Sequence, residues 1–293
     1  MGVGGSKGSL CANFAMENAD LLIAVGTRAV CQSDSSRTGY PAAARVVNIN
    51  ADLADATHYN RTLALLGDVR LTLQELNRAL REKPLKADAA WPRSCAAKKA
   101  DWQALKVERF QTPVLPDEYW GSAVMTQPAA IKIALDWAGE RGAVVFFDAG
   151  DVQANGFQIA EDDHPDRTFT ETGASYMGFA TSALLATAAA SQPFYALALT
   201  GDGSFTMNPQ ILIDGLEHGA HGCILILDKA EWGRSAGCNR HSTGRSLPRA
   251  AEFMWTMQPG AEPFPAYWHW TGGARPSRYA PPCTRPVRTR ASP

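Results

Sequence analysis

The chain has 293 residues, of which 45% are hydrophobic and 19% are charged, and its net charge is -1 at pH 7. This composition is typical of a globular protein with one large domain or two smaller ones. The balanced charge argues against nucleic acid as a partner. The sequence has no apolar run that could span a membrane and no secretory signal at residues 1–4, so we predict a cytoplasmic protein. Its six cysteines show no metal-ligand spacing, and we expect Cys31 and Cys223 to be buried thiols.

Residues 1–82 predict a small α/β domain. A glycine-rich segment, 2–9, precedes a helix predicted over 10–18, and apolar runs predict strands over 20–26 and 45–50. A further helix is predicted over 71–80. The glycine-rich segment could cradle a phosphate group or simply allow tight packing. A complete dinucleotide-binding fingerprint is absent, because no strand precedes the segment.

Residues 83–125, with four prolines, predict a linker that contains an amphipathic helix over 96–110. From residue 126 a second α/β domain is predicted. It starts with a helix over 129–138 and an apolar strand over 143–148, followed by a loop over 149–155. A segment of small residues, 172–180, then opens an alanine-rich helix predicted over 181–190.

The most informative segment of the chain joins two apolar strands. A strand predicted over 195–199 leads to Gly201, Asp202 and Gly203, and a helix over 207–219 precedes a second strand that ends at Asp228. Acidic residues thus follow two strands at the end where open α/β sheets bind ligands. Gly-Asp-Gly alone would also fit a simple turn capped by an aspartate.

The whole unit, from Ala-Leu-Thr-Gly-Asp-Gly-Ser-Phe-Thr-Met-Asn at 198–208 to Asp228, resembles the thiamine diphosphate signature of acetolactate-synthase-like enzymes. Residues 5–10 and 19–28 resemble the central domain of the same superfamily. The resemblance implies an α/β fold of two doubly wound parallel-sheet domains, the second incomplete at its C-terminus. We expect a central domain at 1–82 that lacks its first strand, a spacer at 83–125, a partial diphosphate-binding domain at 126–229 and an irregular tail at 230–293.

The resemblance also implies the site residues. Asp202 matches a magnesium ligand, whereas Lys229 occupies the position of the usual asparagine ligand. An ammonium group has only donors and cannot coordinate a cation, so Lys229 either pairs with the diphosphate or marks a broken site, which we favour. Cofactor contacts are implied at Gly150, Asp151, Val152, Ser175, Met177, Gly201, Asp202, Gly203, Ser204 and Met207.

The resemblance implies thiamine diphosphate and Mg²⁺ as cofactors and a carboligase or decarboxylase that acts on a 2-oxo acid or diketone. Some members hold FAD, which nothing in this sequence supports. No catalytic residue is identified, because the glutamate that activates the cofactor belongs to a pyrimidine-binding domain that we expect from a homodimer or another subunit. Two alternatives stay open. One is a cyclic-dione hydrolase of inositol breakdown, which Asp228 would fit, and the other is a non-catalytic remnant.

After Asp228 the sequence shows neither helical nor alternating hydrophobic periodicity. A shift of reading frame near Lys229 would explain the change, because residues 238–244 and 253–257, read one base earlier, can encode segments like those of the family. We therefore expect the apolar strand 223–227 to become an exposed sheet edge, which would favour aggregation.

Overall fold

The computed structural model describes residues 1–27, 35, 37–85, 88–117, 122–162 and 164–228, and the backbone of 249–257. The strands of this part are β1 (Leu21–Val25), β2 (Arg45–Asn50), β3 (Thr62–Leu66), β4 (Val114–Asp117), β5 (Ser122–Thr126), β6 (Val144–Phe147), β7 (Thr168–Thr170), β8 (Ala196–Gly201), β9 (Gly222–Asp228) and β10 (Arg249–Met257). Its helices are α1 (Leu10–Asn18), α2 (Leu53–Ala56), α3 (Val69–Glu82), α4 (Ala90–Gln111), α5 (Gln127–Arg141), α6 (Asp151–Ile159), α7 (Phe179–Ala183), α8 (Ala186–Ala189), α9 (Asp202–Phe205) and α10 (Ile211–Glu217).

The first sheet contains three parallel strands in the order β1-β2-β3. Its central strand, β2, buries Val46 and Ile49 completely, which explains the apolar run in the sequence. The preceding helix, α1, begins after Ser9, whose hydroxyl accepts a hydrogen bond from the Ala12 amide at 3.2 Å. The helix predicted over 10–18 and the strand predicted over 45–50 are therefore confirmed.

The second sheet contains seven strands in the order β4-β5-β10-β9-β8-β6-β7. Strands β9, β8, β6 and β7 are parallel, as the sequence predicted for a doubly wound domain. Both faces of β8 and β9 are buried: Leu199 and Leu225 pack in one apolar cluster, and Ala198 and Ile224 pack in the other. Strands covered on both faces need apolar residues at every position, which explains the unbroken apolar runs.

The expectation of an exposed β9 edge is wrong. Strand β10 pairs with β9 in antiparallel register, from Ala251 opposite Asp228 to Met257 opposite Gly222, and it also pairs with β5. Residues 249–257 thus belong to a strand although the sequence predicted an irregular tail. Pairing with β9 satisfies the backbone hydrogen-bonding groups of this segment. It does not require the alternation of hydrophobic and polar residues on which the prediction relied. Lys229 and the rest of 230–293 lie outside the described residues.

Several helices differ from their predicted bounds. The loop predicted over 149–155 becomes helical from Asp151, and the helix predicted over 207–219 begins only at Ile211, after the separate short helix α9. The spacer helix α4 starts at Ala90 and accommodates Pro92 in its first turn, where proline loses no helical hydrogen bond. The alanine-rich segment forms the two short helices α7 and α8. Within the described ranges, no helix is long and apolar enough to cross a membrane.

Candidate functional site

Two adjacent strands end side by side at the carboxyl edge of the second sheet. Phe147 of β6 lies opposite Leu199 of β8 in parallel register. Helix α6 follows β6 through Gly150, and α9 follows β8 through Gly201. Both N-cap residues are glycines, so no side chain caps these helix starts. Their first amide groups point toward the edge of the sheet, where the backbone can bind an anion.

Gly150 provides the space at this edge. Its backbone has φ 85° and ψ -142°, a conformation that residues with a β-carbon rarely adopt. A β-carbon added at Gly150 would have no atom within 4 Å, so the space beside this turn is open. A β-carbon added at Gly201 would lie 3.9 Å from Val152 Cγ2. The predicted contact segments at 150–152 and 201–204 are therefore close to each other. Asp151, in the first turn of α6, is half-buried. An open glycine turn next to two helix N-termini fits a diphosphate.

Asp148, which the sequence analysis did not identify as a site residue, connects the segments around this edge. Its carboxylate is fully buried and accepts hydrogen bonds from Ala149 N (2.9 Å), Gly178 N (2.9 Å) and Thr200 Oγ1 (2.7 Å). Burial raises the pKa of Asp148, although the Thr200 hydroxyl and nearby amides act to lower it. A single side chain thus fixes the turn before α6, the segment before α7 and the end of β8. Its sequence signal was an acidic residue directly after an apolar strand.

The segment before α7 folds around the carboxylate of Glu171. This carboxylate accepts hydrogen bonds from the amides of Gly173 (2.6 Å), Ala174 (2.9 and 3.0 Å), Ser175 (2.5 Å) and Tyr176 (3.3 Å). Partial desolvation acts to raise the pKa of Glu171, but the amide donors together hold it below the ordinary value. Ser175 adopts φ 60°, an uncommon conformation for a residue with a side chain. Glu171 therefore compensates for the strain in a segment that contains predicted cofactor contacts.

Gln153 links this segment to the rest of the molecule. Its fully buried amide donates to Thr170 Oγ1 (2.7 Å) and to the Glu171 carbonyl (2.9 Å). Its Oε1 atom accepts from Lys7 Nζ at 3.0 Å and lies 3.4 Å from Ser175 Oγ. Lys7 belongs to the glycine-rich segment near the N-terminus. No pattern in the sequence indicated this contact, which joins two distant parts of the chain at the candidate site.

The two predicted methionines lie at the same edge. A β-carbon added at Gly178, which follows Met177, would lie 3.1 Å from Met207 Cβ and 3.5 Å from the Ser204 carbonyl oxygen. Ser204 is buried, whereas Met177 and Met207 are about half-exposed at 47% and 50%. The structure thus collects the ten predicted cofactor residues on three segments that lie close together. These segments are 150–152, 175–177 and 201–207, the last with Gly203 half-buried in α9.

The predicted metal ligand lies at the same edge. Asp202 is half-buried at the start of α9, and Gly201 before it lies opposite Leu227 of β9, next to Asp228. No group of three His, Cys, Asp or Glu side chains in the described part of the chain is arranged to hold a metal ion. Magnesium at such a site would draw its other oxygen ligands from the diphosphate and water. The predicted role of Lys229 concerns a residue outside the described ranges.

Two family models match the chain in order. The thiamine pyrophosphate enzyme central domain matches residues 1–76, and the C-terminal thiamine pyrophosphate binding domain of these enzymes matches residues 148–250. Thiamine pyrophosphate is another name for thiamine diphosphate. The first match contains Lys7 and the three-stranded sheet, and the second contains all three site segments.

Curated relatives agree with these models. The chain is 30% identical to a chloroplastic acetolactate synthase of Arabidopsis thaliana over 213 residues, which are 71% of this chain and 30% of the relative. It is 29% identical to acetolactate synthase 3 of Brassica napus over 212 residues, with the same coverage. It is also 28% identical to a 3D-(3,5/4)-trihydroxycyclohexane-1,2-dione hydrolase of Listeria monocytogenes over an alignment of 253 positions, which covers 80% of this chain and 39% of the hydrolase. The chain therefore spans between 30% and 39% of the length of these relatives. Two domain models in the expected order, together with these relatives, show that the chain belongs to the thiamine diphosphate-dependent enzyme superfamily, in its acetolactate-synthase-like branch.

Proposed function

We propose that this chain binds thiamine diphosphate with Mg²⁺ and forms the diphosphate-binding part of a carboligase or decarboxylase that acts on 2-oxo acids. The observation that carries the proposal is the open turn at Gly150 beside Gly201, where two helices begin without a side-chain cap. Amide groups at helix starts stabilise the negative charge of a phosphate. The family models and the acetolactate synthase relatives support the choice of cofactor and reaction.

Each element of the site would have a separate task. The cofactor supplies an electron sink for carbanion chemistry next to a carbonyl group. Gly150 and Gly201 would let the backbone amides approach the diphosphate, and Asp202 would give one oxygen ligand to Mg²⁺. The half-exposed side chains of Met177 and Met207 would provide an apolar wall beside the thiamine.

The carboxyl group that activates the cofactor would come from another segment or another subunit. The resemblance assigns this group to the pyrimidine-binding domain, and a homodimer or a separate subunit would supply it. The exposed apolar side chains at the edge, Tyr176 and Met177, support an arrangement in which further protein covers the site.

Calorimetric titration of the purified chain with thiamine diphosphate, with and without Mg²⁺, tests the proposal. We expect binding that requires Mg²⁺ and that Asp202→Ala abolishes. Asp20→Ala is the matched control, because Asp20 is an exposed aspartate beside the first sheet. Absence of binding to the wild-type chain would refute the proposal and favour a non-catalytic remnant. Binding restored only by Lys229→Asn would show that Lys229 breaks the metal site.

A second candidate function is the hydrolysis of a cyclic dione. The hydrolase relative matches a longer part of this chain, 80% against 71% for an acetolactate synthase, and Asp228 ends β9 where the synthase-like pattern has an asparagine. Incubation of the cofactor-loaded protein with pyruvate or with trihydroxycyclohexane-1,2-dione, followed by NMR of the products, separates the two. A ring-opened acid from the dione would favour the hydrolase, and acetolactate or another decarboxylation product from pyruvate would favour the carboligase.

A further inference from the structure

We propose that Glu171 is a positioning residue, whose carboxylate fixes the segment 172–178 in the shape that receives the cofactor. The inference rests on the proposed function and deepens it, because it names a residue that acts on the site without touching the ligand. Four consecutive backbone amides, from Gly173 to Tyr176, point at this one carboxylate. Successive amides that converge in this way form an anion-binding nest.

The nest has no other means of satisfying its donors within the segment. Ala174 and Tyr176 are exposed, and none of residues 171–178 belongs to a helix or a strand. Without an anion, these amides would bond to water, and the segment would lose the single conformation that places Ser175 at φ 60°. The carboxylate of Glu171 therefore satisfies the amide donors of this segment, as pairing with a neighbouring strand satisfies those of a strand.

Three contacts with two residues, Gln153 and Asp148, connect the conformation fixed by Glu171 to the site. The Glu171 carbonyl accepts a hydrogen bond from Gln153 Nε2 at 2.9 Å, and Gln153 Oε1 lies 3.4 Å from Ser175 Oγ. At the other end of the segment, the Gly178 amide donates to Asp148 at 2.9 Å. Glu171, Gln153 and Asp148 thus hold the segment at its start, middle and end, and Met177 lies between the last two attachments.

The pKa of Glu171 lies below its ordinary value, so the anion stays charged at neutral pH. A glutamine would place an NH₂ group among N–H donors and would satisfy fewer of them. An alanine would leave all four amides without their acceptor. We expect Glu171→Ala to weaken binding of thiamine diphosphate about tenfold, the factor that corresponds to ordering about one backbone residue on binding.

The first measurement is amide hydrogen exchange of residues 173–176 without cofactor. We expect slow exchange in the wild-type protein and fast exchange in Glu171→Ala, with Glu171→Gln between them. The second is calorimetry with thiamine diphosphate and Mg²⁺ on the same proteins. Glu217→Ala is the matched control, since Glu217 is an exposed glutamate on α10, outside the site. The Glu171→Asp variant tests whether a shorter carboxylate restores part of the affinity.

Chemical rescue separates positioning from general damage to the fold. Formate or acetate can occupy a nest that has lost its carboxylate, so either anion should recover affinity in Glu171→Ala more than chloride does at equal ionic strength. Unchanged cofactor affinity in Glu171→Ala would overturn the inference, as would a loss that no carboxylate recovers. Failure of the wild-type protein to bind the cofactor would instead overturn the proposed function, while hydrogen exchange would still report whether Glu171 fixes the segment. If Glu171→Ala does not fold, the comparison of Glu171→Gln with Glu171→Asp makes the same distinction.

Discussion

Replacing Asp148 tests the architecture of the site, because one buried carboxylate serves three donors. Asp148→Ala leaves the amides of Ala149 and Gly178 without their acceptor, and both residues are buried. The Thr200 hydroxyl also loses its bond to Asp148, but it can donate to the Gly201 carbonyl oxygen instead. An unsatisfied buried donor costs about 1–3 kcal/mol, so two orphaned amides should lower the free energy of unfolding by at least about 2 kcal/mol.

Asp148→Asn should have a much smaller effect. The remaining amide oxygen can accept both backbone bonds, and the new NH₂ group can donate to Thr200 Oγ1 if that hydroxyl reverses. Thr200 Oγ1 already lies 3.2 Å from the Gly201 carbonyl oxygen, which can accept its proton. The variant loses charge-assisted bonds but also avoids burying a charge, so we expect a change of about 1 kcal/mol or less.

The contribution of Asp148 to the free energy of unfolding should decrease as the pH rises. Burial raises the pKa of Asp148 in the folded protein, so the folded state holds this proton more tightly than the unfolded chain does. The stability that this group contributes is fully present below the unfolded pKa of about 4 and is lost as the pH rises through the folded value. The wild-type protein should therefore lose stability relative to Asp148→Asn as the pH rises above about 4.

Urea unfolding followed by tryptophan fluorescence measures these differences as shifts of the midpoint at constant slope. Thr200→Val is the matched control, because it removes one donor and leaves the carboxylate with two. An Asn variant as unstable as the Ala variant would refute the reasoning, since the charge itself would then be required. An Ala variant as stable as the wild type would show that Asp148 does not hold the three segments.

Three further predictions concern the surroundings of the site. A β-carbon at Gly156 would lie 2.6 Å from the ring of the buried Phe147, so Gly156→Ala should lower the free energy of unfolding by about 1–3 kcal/mol in urea; a neutral effect would contradict this packing. Burial raises the pKa of the Cys223 thiol to about 12, so it should react with a disulfide reagent at pH 8 only after unfolding, as mass spectrometry of the labelled peptide would reveal. A hydrogen bond from the buried Lys106 lowers the pKa of Glu161, so the stability from this pair is present above the ordinary pKa of glutamate and is lost as the pH falls through the lowered value. Glu161→Gln should cost about 1 kcal/mol at pH 7, since Glu161 is itself half-exposed, and less at pH 3; equal losses in thermal unfolding at the two pH values would refute the assignment.

The sequence predicted those parts of the fold that depend on neighbouring residues. Strands β8 and β9 appeared as apolar runs because both of their faces are buried. The start of α1 was predicted from the end of the glycine-rich segment, and in the structure Ser9 caps it locally. The ten cofactor positions came from resemblance, and the structure brings their three segments to one edge of the sheet. Their contacts with the cofactor stay predictions until binding is measured.

The remaining features depend on contacts between distant residues, which a single sequence does not reveal. Asp148 bonds to Gly178 and Thr200, at separations of 30 and 52 residues, and Lys7 reaches Gln153 across 146 residues. Strand β10 was missed for the same reason. Its pairing with β9 depends on where the chain returns to the sheet, and its own residues show no alternation that would indicate a strand.

The charges around the site support a requirement for a divalent cation. Asp148, Asp151, Glu171 and Asp202 place four carboxyl groups on or around the segments proposed to hold a diphosphate, which is itself an anion. The carboxylates of Asp148 and Glu171 accept hydrogen bonds from amides of the protein, so they shape the segments but add no attraction for the ligand. Lys7, on Gln153, is a cation at this edge, yet one ammonium group cannot balance both Asp202 and a diphosphate. Binding without Mg²⁺ would therefore bring charges of the same sign together, and a cation held by Asp202 would convert that repulsion into attraction.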